Sequence, residues 1–491
     1  MKKYLSLFIY LSILTGCTSP GGRSWMIPVN IDLSDLDYTP SQMESFAGRR
    51  QLLTDSLGSA YVVLRSADQG SFNRHEFRPN NYLYYLTAYA ARGSYAILSS
   101  ETQQYFTLSL PPQSIRTLIY EGGEITNEEL SEQYSPDRIL SYREIRSLID
   151  SIVKTGATIY MDRSDRTFYT DLQRMAGESG SPNIRHIGEL VDPMRVLKNA
   201  SEVERIQKAC NITAMALTRV MKECKPDMYE FEMEALIEGT FLEYGSAMPG
   251  FNSIVGSGPN STILHYEPNT RIMENGDLLL MDIGAEYGYY TADITRTIPV
   301  SGKFTAEQRT IYQLVLDAQL AAIEQMNPGN MYMDGHMAAK EVIVEGLTEL
   351  GLITDPTSTW QMFFYVLYPS SHYLGLDVHD VGEKGGSFNQ LMEQSAQESM
   401  ESRVLEPGMV LTIEPGLYFR EKGLDQLHEI FKDEADSIEL DQFIKEVRPV
   451  YEQYVNVGVR IEDDILITSN GNINLSRYAP KEIEDIEQIM R

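Results

Sequence analysis

Cysteine is nearly absent from this chain. Only Cys17, Cys210 and Cys224 occur among 491 residues, so a disulfide scaffold or a thiolate metal site has no material. Cys210 and Cys224 both fall in a predicted helix from Ser201 to about Glu223. Their spacing along a helix is about 21 Å at 1.5 Å per residue, too far for a bridge. Basic residues are also scarce. Lys and Arg number 41 against 70 Asp and Glu, a formal charge of −29. So negative a balance argues against nucleic acid as a partner, which needs a basic face, and favours solubility. Long apolar runs are missing. The run Tyr4 to Leu14 is too short to span a bilayer. No low-complexity segment, sequence repeat or glycine-rich phosphate loop stands out. The 42% hydrophobic content is ordinary for a globular enzyme, and the length suggests two or three domains.

What is present begins at the N-terminus. Met1-Lys-Lys is basic, the apolar run follows, and Leu14-Thr-Gly-Cys17 closes it. Residues 1–16 read as a signal peptide, outside the mature fold. Leu-Thr-Gly-Cys resembles a bacterial lipobox, which implies cleavage before Cys17 and lipidation of its thiol. Residues 17–40, with Ser19-Pro-Gly-Gly-Arg, read as a flexible tether. The expectation is an exported bacterial lipoprotein, held at the membrane through Cys17 and either periplasm-facing or anchored to the outer membrane.

Five residues in five short strand-like segments carry the chemistry: Asp282, Asp293, His372, Glu414 and Glu462. Four carboxylates and one imidazole suit Mn2+, Co2+ or Zn2+. Four carboxylates give one ion too much negative charge, whereas two close ions balance it and support hydrolysis. The set therefore predicts a two-metal hydrolase. Leu278–Gly284 is an apolar run carrying Asp282, and Tyr289–Thr297 carries Asp293. A hairpin closing at Tyr287-Gly288 sets Asp282 directly opposite Asp293, on one face. Glu414 ends a strand before a Pro-Gly turn. In Val457–Ile467, Arg460 shares a face with Glu462 and is placed to orient it. The neighbours Asp463 and Asp464 read as turn or surface residues, and Asp380 as a supporting or structural one. His75, His186, His336 and His428 lie outside any motif.

Around these residues the stretches IVGSGPNSTILHYEPN, MDIGAEYGYYTADITRT, SHYLGLDVHDVG, LTIEPGLY and VRIEDDILIT follow in order. In them the chain resembles the pita-bread metallopeptidases, most of all aminopeptidase P (Xaa-Pro aminopeptidase), with prolidase close behind. The likeness spans roughly residues 40 to 480. It implies a dinuclear, usually manganese, site in which Asp282 is bidentate, Asp293 and Glu462 bridge, and His372 and Glu414 complete the shells. Glu414 is the candidate to take and pass on the water's proton. The resemblance puts His265 and His379 on the scissile and proline-side carbonyls. The substrate's amine falls near Asp282, Arg460 supports, and Tyr418 lines the pocket. Substrates are peptides with proline second. A homo-dimer or homo-tetramer is expected. Two alternatives stay open: a prolidase that cuts only dipeptides, and a metal-free peptide-binding protein on the same fold. One departure stands out. The family usually carries a histidine four residues before the metal histidine, and here Tyr368 occupies that place. Tyr84 aligns with a tryptophan that reaches a neighbour's active site in some relatives.

The implied fold class is α+β: an N-terminal α/β creatinase-type domain over 41–190 and a pita-bread catalytic domain over 191–491. Ala60–Leu64, Tyr95–Leu98, Tyr105–Leu108 and Ala157–Met161 read as strands, and Arg143–Val153 and Thr167–Met175 as helices. Beyond them, a capping box at Ser201–Glu204 opens a helix, a second runs from about Met228 to Tyr244, Thr305–Gln308 caps a third, and Met333–Leu350 is a fourth. The charged residues 419–456 read as a surface insertion near the cleft mouth.

Overall fold

The computed structural model describes residues 46–491 apart from 67–76, 101–104, 113, 122–124, 178–181 and 386–401. Cys17, the leader, the tether and His75 lie outside the described residues. The first half builds a six-stranded sheet from β1 (Tyr61–Arg65), β2 (Tyr95–Ser99), β3 (Phe106–Ser109), β4 (Arg138–Leu140), β5 (Ile159–Met161) and β6 (Ile184–His186). The order is β4-β3-β2-β1-β5-β6. The β1–β2 and β2–β3 pairs are antiparallel and the rest parallel. All four expected strands are there, within a residue or two. The helices Tyr142–Thr155 and Arg166–Ala176 bury Ile145, Ile149, Phe168 and Leu172 against the sheet.

The second half hangs on the helix Ala200–Glu223, most of whose residues are buried. Its capping box lies two residues earlier than expected. Asn199 Oδ1 accepts from Glu202 N, and Glu202 Oε2 accepts from Asn199 N. Tertiary contacts decide this, because Glu202 also meets Arg49 at 2.8 Å and Tyr290 Oη at 2.6 Å. The Thr305–Gln308 box forms as expected and opens the helix Ala306–Gln325. Helices Glu230–Glu243 and Asp334–Glu349 complete the expected set.

Two ladders carry the remaining strands. The first joins β7 (Ile254–Ser257), β8 (Leu278–Ile283) and β11 (Ile294–Pro299), with β9 (Glu286–Tyr287) and β10 (Tyr290–Thr291) at the hairpin tip. The second is built from β12 (Val410–Ile413), β13 (Gly416–Tyr418), β14 (Gly458–Arg460), β15 (Asp463–Thr468) and β16 (Gly471–Asn474). Residues 419–456 leave between β13 and β14 and include the helix Ser437–Tyr451. The face carrying Phe443 and Tyr451 packs on Trp360, Phe364 and Phe419.

A candidate dinuclear metal centre at the meeting of two ladders

The first hairpin turns one residue later than its sequence suggests. Gly288 and Tyr289 have φ of +58° and +70°, the two left-handed residues of a tight hairpin turn. Tyr289 bears this because the Tyr84 ring packs on it at 4.5 Å. Asp282 therefore faces Thr295, not Asp293. Asp293 still shares a face with Thr295, two residues on, so both acids point the same way. Gly284 lies across from Asp293, and any Cβ there meets the Ala292 carbonyl oxygen.

The second ladder keeps one register on both sides of a break. Ile413 pairs with Asp463 and Gly416 with Arg460. Glu414 and Glu462 fall in that break, directly across from each other. His372 comes alongside on an irregular segment: Thr412 N donates to His372 O at 2.9 Å and Glu414 N to Ser370 O at 3.0 Å. Thr295 stitches the two ladders. Its carbonyl accepts from Glu462 N at 3.1 Å, and its hydroxyl donates to Glu462 Oε2 at 2.6 Å.

Asp282, Asp293, His372 and Glu462 are all buried. One ligand atom each of Asp293, His372 and Glu462 lies within 4.8 Å of the others. His372 Nε2 is 3.3 Å from Asp293 Oδ2 and 3.6 Å from Glu414 Oε1. Its Nδ1 is 3.1 Å from the Tyr373 carbonyl. That contact puts the proton on Nδ1 and leaves Nε2 bare, as a metal ligand requires. Burial pushes His372 down to about 3. Burial, then the neighbouring acids, push Asp293 and Glu462 well above the carboxylate range, and burial pushes Glu414 up to about 8. Asp282 Oδ1, Asp293 Oδ1 and Glu462 Oε1 are buried without a hydrogen-bond partner. Buried, unpaired carboxylate oxygens around a bare imidazole nitrogen fit divalent cations.

These groups line a cavity of about 360 Å³ together with Leu264, His265, Tyr368, Pro369, His379, Lys384 and Arg460. The rings of His372 and His379 are 4.4 Å apart. All eight expected residues other than Tyr418 thus surround one space. Residues 204–469 match metallopeptidase family M24, and residues 46–160 match the N-terminal domain of aminopeptidase P. The chain is a member of metallopeptidase family M24. The Xaa-Pro aminopeptidase of Escherichia coli (strain K12) is 33% identical over 91% of this chain and 97% of its own length. The human Xaa-Pro dipeptidase is 30% identical over 84% of each chain. Among solved structures, proline aminopeptidase P II from Yersinia pestis is 31% identical, with a TM-score of 0.76 over 92% of this chain and 99% of that one. The α+β reading holds, with an aminopeptidase P N-terminal domain and a pita-bread M24 domain.

Several expectations about this M24 site need correction. Arg460 does not hold Glu462. Its Nη2 donates to Asp282 Oδ2, its Nε to Thr295 Oγ1 at 3.0 Å and its Nη1 to Tyr418 Oη at 2.8 Å. Tyr418 stands behind the wall, not on it. Tyr368 does line the cavity, its hydroxyl 2.8 Å from that of Tyr418 and 3.1 Å from the Glu414 carbonyl. The consistent donor order is Arg460 to Tyr418 to Tyr368 to Glu414 O. Within the chain Tyr84 is buried at the hairpin tip, its hydroxyl meeting Gly288 O and Arg205. Asp463 and Asp464 are not surface residues but fully buried. Asp463 binds Arg296 at 2.6 Å and Lys481 at 2.7 Å, and Asp464 accepts from Asp293 N at 3.1 Å. They alternate on a strand buried on both faces, which a charged doublet in sequence disguises. Asp380 is structural: Lys198 at 3.0 Å and Arg195 grip it and so fix the loop of His379. Sequence reasoning missed Thr295 and Lys384. The Asp-x-Thr spacing on one strand face held the signal for the first.

Proposed function

We propose that this protein is a metal-dependent aminopeptidase that hydrolyses the bond between an N-terminal residue and a following proline. The observation that carries the reading is the set Asp282, Asp293, His372, Glu414 and Glu462 around one cavity, in a chain that matches Xaa-Pro aminopeptidases over nine-tenths of its length. Those five residues would hold two divalent ions, of which Mn2+ suits four carboxylates and one imidazole. Bound there, the ions supply Lewis acidity, acidifying water and polarising the scissile carbonyl.

The chain's own groups do the rest. Glu414, on the cavity wall, accepts the proton of the attacking water and delivers it to the departing proline nitrogen. Asp282, held by Arg460, faces the substrate's free amine. His265 and His379 donate to the two peptide carbonyls and favour the tetrahedral state over the planar one. A lipid anchor at Cys17, an exported location and a dimer or tetramer belong to the same proposal, and rest on the leader sequence and the resemblance alone.

The test compares an Xaa-Pro dipeptide with an Xaa-Pro-Yaa-Zaa tetrapeptide on the full Mn2+-loaded chain. Release of the first residue from the tetrapeptide supports the proposal. Turnover of the dipeptide alone makes the protein a prolidase. No turnover of either, with metal bound, overturns the catalytic reading in favour of a binding protein.

A further inference from the structure

One charged group in the cavity has no part in the reaction described. Lys384 lines it and is half-buried. Among the described residues no carboxylate lies within ion-pair distance of its ammonium. Burial lowers its pKa, so part of its hydration is gone. It shares the cavity wall with His265, His379 and Glu414. Arg460, the other cation on the wall, is already spent on Asp282, Thr295 and Tyr418.

The chemistry of the substrate decides what Lys384 meets. A peptide's carbonyls are neutral, and two imidazoles suffice to donate to them. A partly desolvated ammonium is costly unless an anion offsets it. The carboxylates of the metal site are the nearest candidates, yet bound cations would compensate those. The anion common to every peptide is its C-terminal carboxylate. A cavity of about 360 Å³ is at the small end of ligand pockets, so only a short peptide brings that carboxylate inside with the scissile bond.

We propose that Lys384 is a specificity-determining residue whose ammonium binds the C-terminal carboxylate of short Xaa-Pro peptides in the same cavity as His265 and His379. The inference rests on the cavity being a peptide site, and it names the substrate class: di- and tripeptides with a free carboxyl end. Longer peptides enter without this contact and bind more weakly.

The experiment uses the full Mn2+-loaded chain and two ligand pairs. The first pair is Leu-Pro and its C-terminal amide, read as kcat/KM. The second is the same pair with a reduced, uncleavable link, read as Kd by calorimetry. Loss of one charge-assisted contact corresponds to about a tenfold effect or more. The acid is therefore expected to outperform the amide about tenfold in both readings. In Lys384→Met the ratio falls to about one, and in Lys384→Arg it persists. Equal handling of acid and amide by the unaltered protein overturns the inference, and so does a preference that survives Lys384→Met. If nothing is cleaved but the uncleavable acid binds better in a Lys384-dependent way, the carboxylate site stands and the peptidase reading falls. If Leu-Pro-amide is cleaved as well as Leu-Pro, the peptidase reading stands and the Lys384 inference falls.

Discussion

Two sets of carboxylates sit inside this domain, and they differ in who neutralises them. Asp380 and Asp463 each sit between two cations of the chain, Arg195 with Lys198 and Arg296 with Lys481. Those partners outweigh burial and hold both acids below the usual carboxylate range. Asp293, Glu414 and Glu462 have no such partners, and burial drives all three upward. Glu462 and Asp463 are adjacent in sequence and fall on opposite sides of this divide. One set is complete within the protein. The other is complete only with added cations, and that incompleteness marks function.

The largest expected effect comes from breaking the incomplete set. Asp293→Asn should lower kcat/KM by about a thousandfold, the scale of losing a principal electrostatic element of a site. Calorimetry should show at least one Mn2+ lost, while the urea midpoint of the metal-free protein does not fall, because an unpaired buried acid has been removed. Full turnover in this variant would remove Asp293 from the site. The complete set should respond in the opposite sense. Arg296→Met leaves Asp463 half-compensated and strips the Glu462, Ala479 and Pro480 carbonyls of their donor. Breaking a buried pair costs about 3–5 kcal/mol. Urea unfolding of metal-free protein should lose that amount, and an unchanged midpoint would erase the distinction between the sets.

A smaller effect sharpens the comparison through pH. In metal-free protein, Glu414 keeps a proton up to about 8, whereas an unfolded glutamate releases it near 4.5. The folded state then binds more protons than the unfolded one, so stability falls as pH rises through that interval, by about 1.4 kcal/mol per pH unit per retained proton. Asp464, also raised by burial to about 8, adds in the same direction. His372 and His336, lowered by burial to about 3 and 4, act oppositely but only below their ordinary value of 6.5. Between 6.5 and 8 the acids act alone, and urea midpoints taken with a chelator should decline with pH. Saturating Mn2+ displaces the ligand protons and should flatten the decline. A midpoint that rises with pH in the chelated protein would contradict the assignment of raised acids.

The ligand set was legible because each residue sits in a short, patterned segment whose periodicity fixes its face. Asp282 and Asp293 kept their common face although the turn moved by one residue, since the pairing shifted by an even step. What stayed hidden depends on contacts distant in sequence. Asn199 displaced Ser201 as the helix cap because Arg49 and Tyr290 claim Glu202. Asp463 and Asp464 looked like a surface doublet because Arg296 and Cys210, their partners, lie more than 160 residues away. Lys384 follows the motif that ends at Gly382, and nothing local marks it as a cavity residue.

The smallest predicted effect concerns Tyr368, where the resemblance leads one to expect a histidine. If Tyr368 were a substrate donor standing in for the usual histidine, removing its hydroxyl would weaken substrate binding. Its hydroxyl is instead placed between Tyr418 and the Glu414 carbonyl, at 2.8 and 3.1 Å. With Arg460 donating to Tyr418, the proton of Tyr368 is committed to Glu414, and the chain of donors ties the acid–base residue to the arginine that holds Asp282. Tyr368→Phe keeps the ring on the cavity wall and leaves Glu414 O without this donor. One buried hydrogen bond is worth about 1 kcal/mol, so kcat should fall about fivefold while KM stays within about twofold. Steady-state kinetics on Leu-Pro separates the two roles, since a raised KM at constant kcat would return Tyr368 to the substrate. A lowered kcat at constant KM would instead mean that Tyr368 braces the groups that act on the substrate.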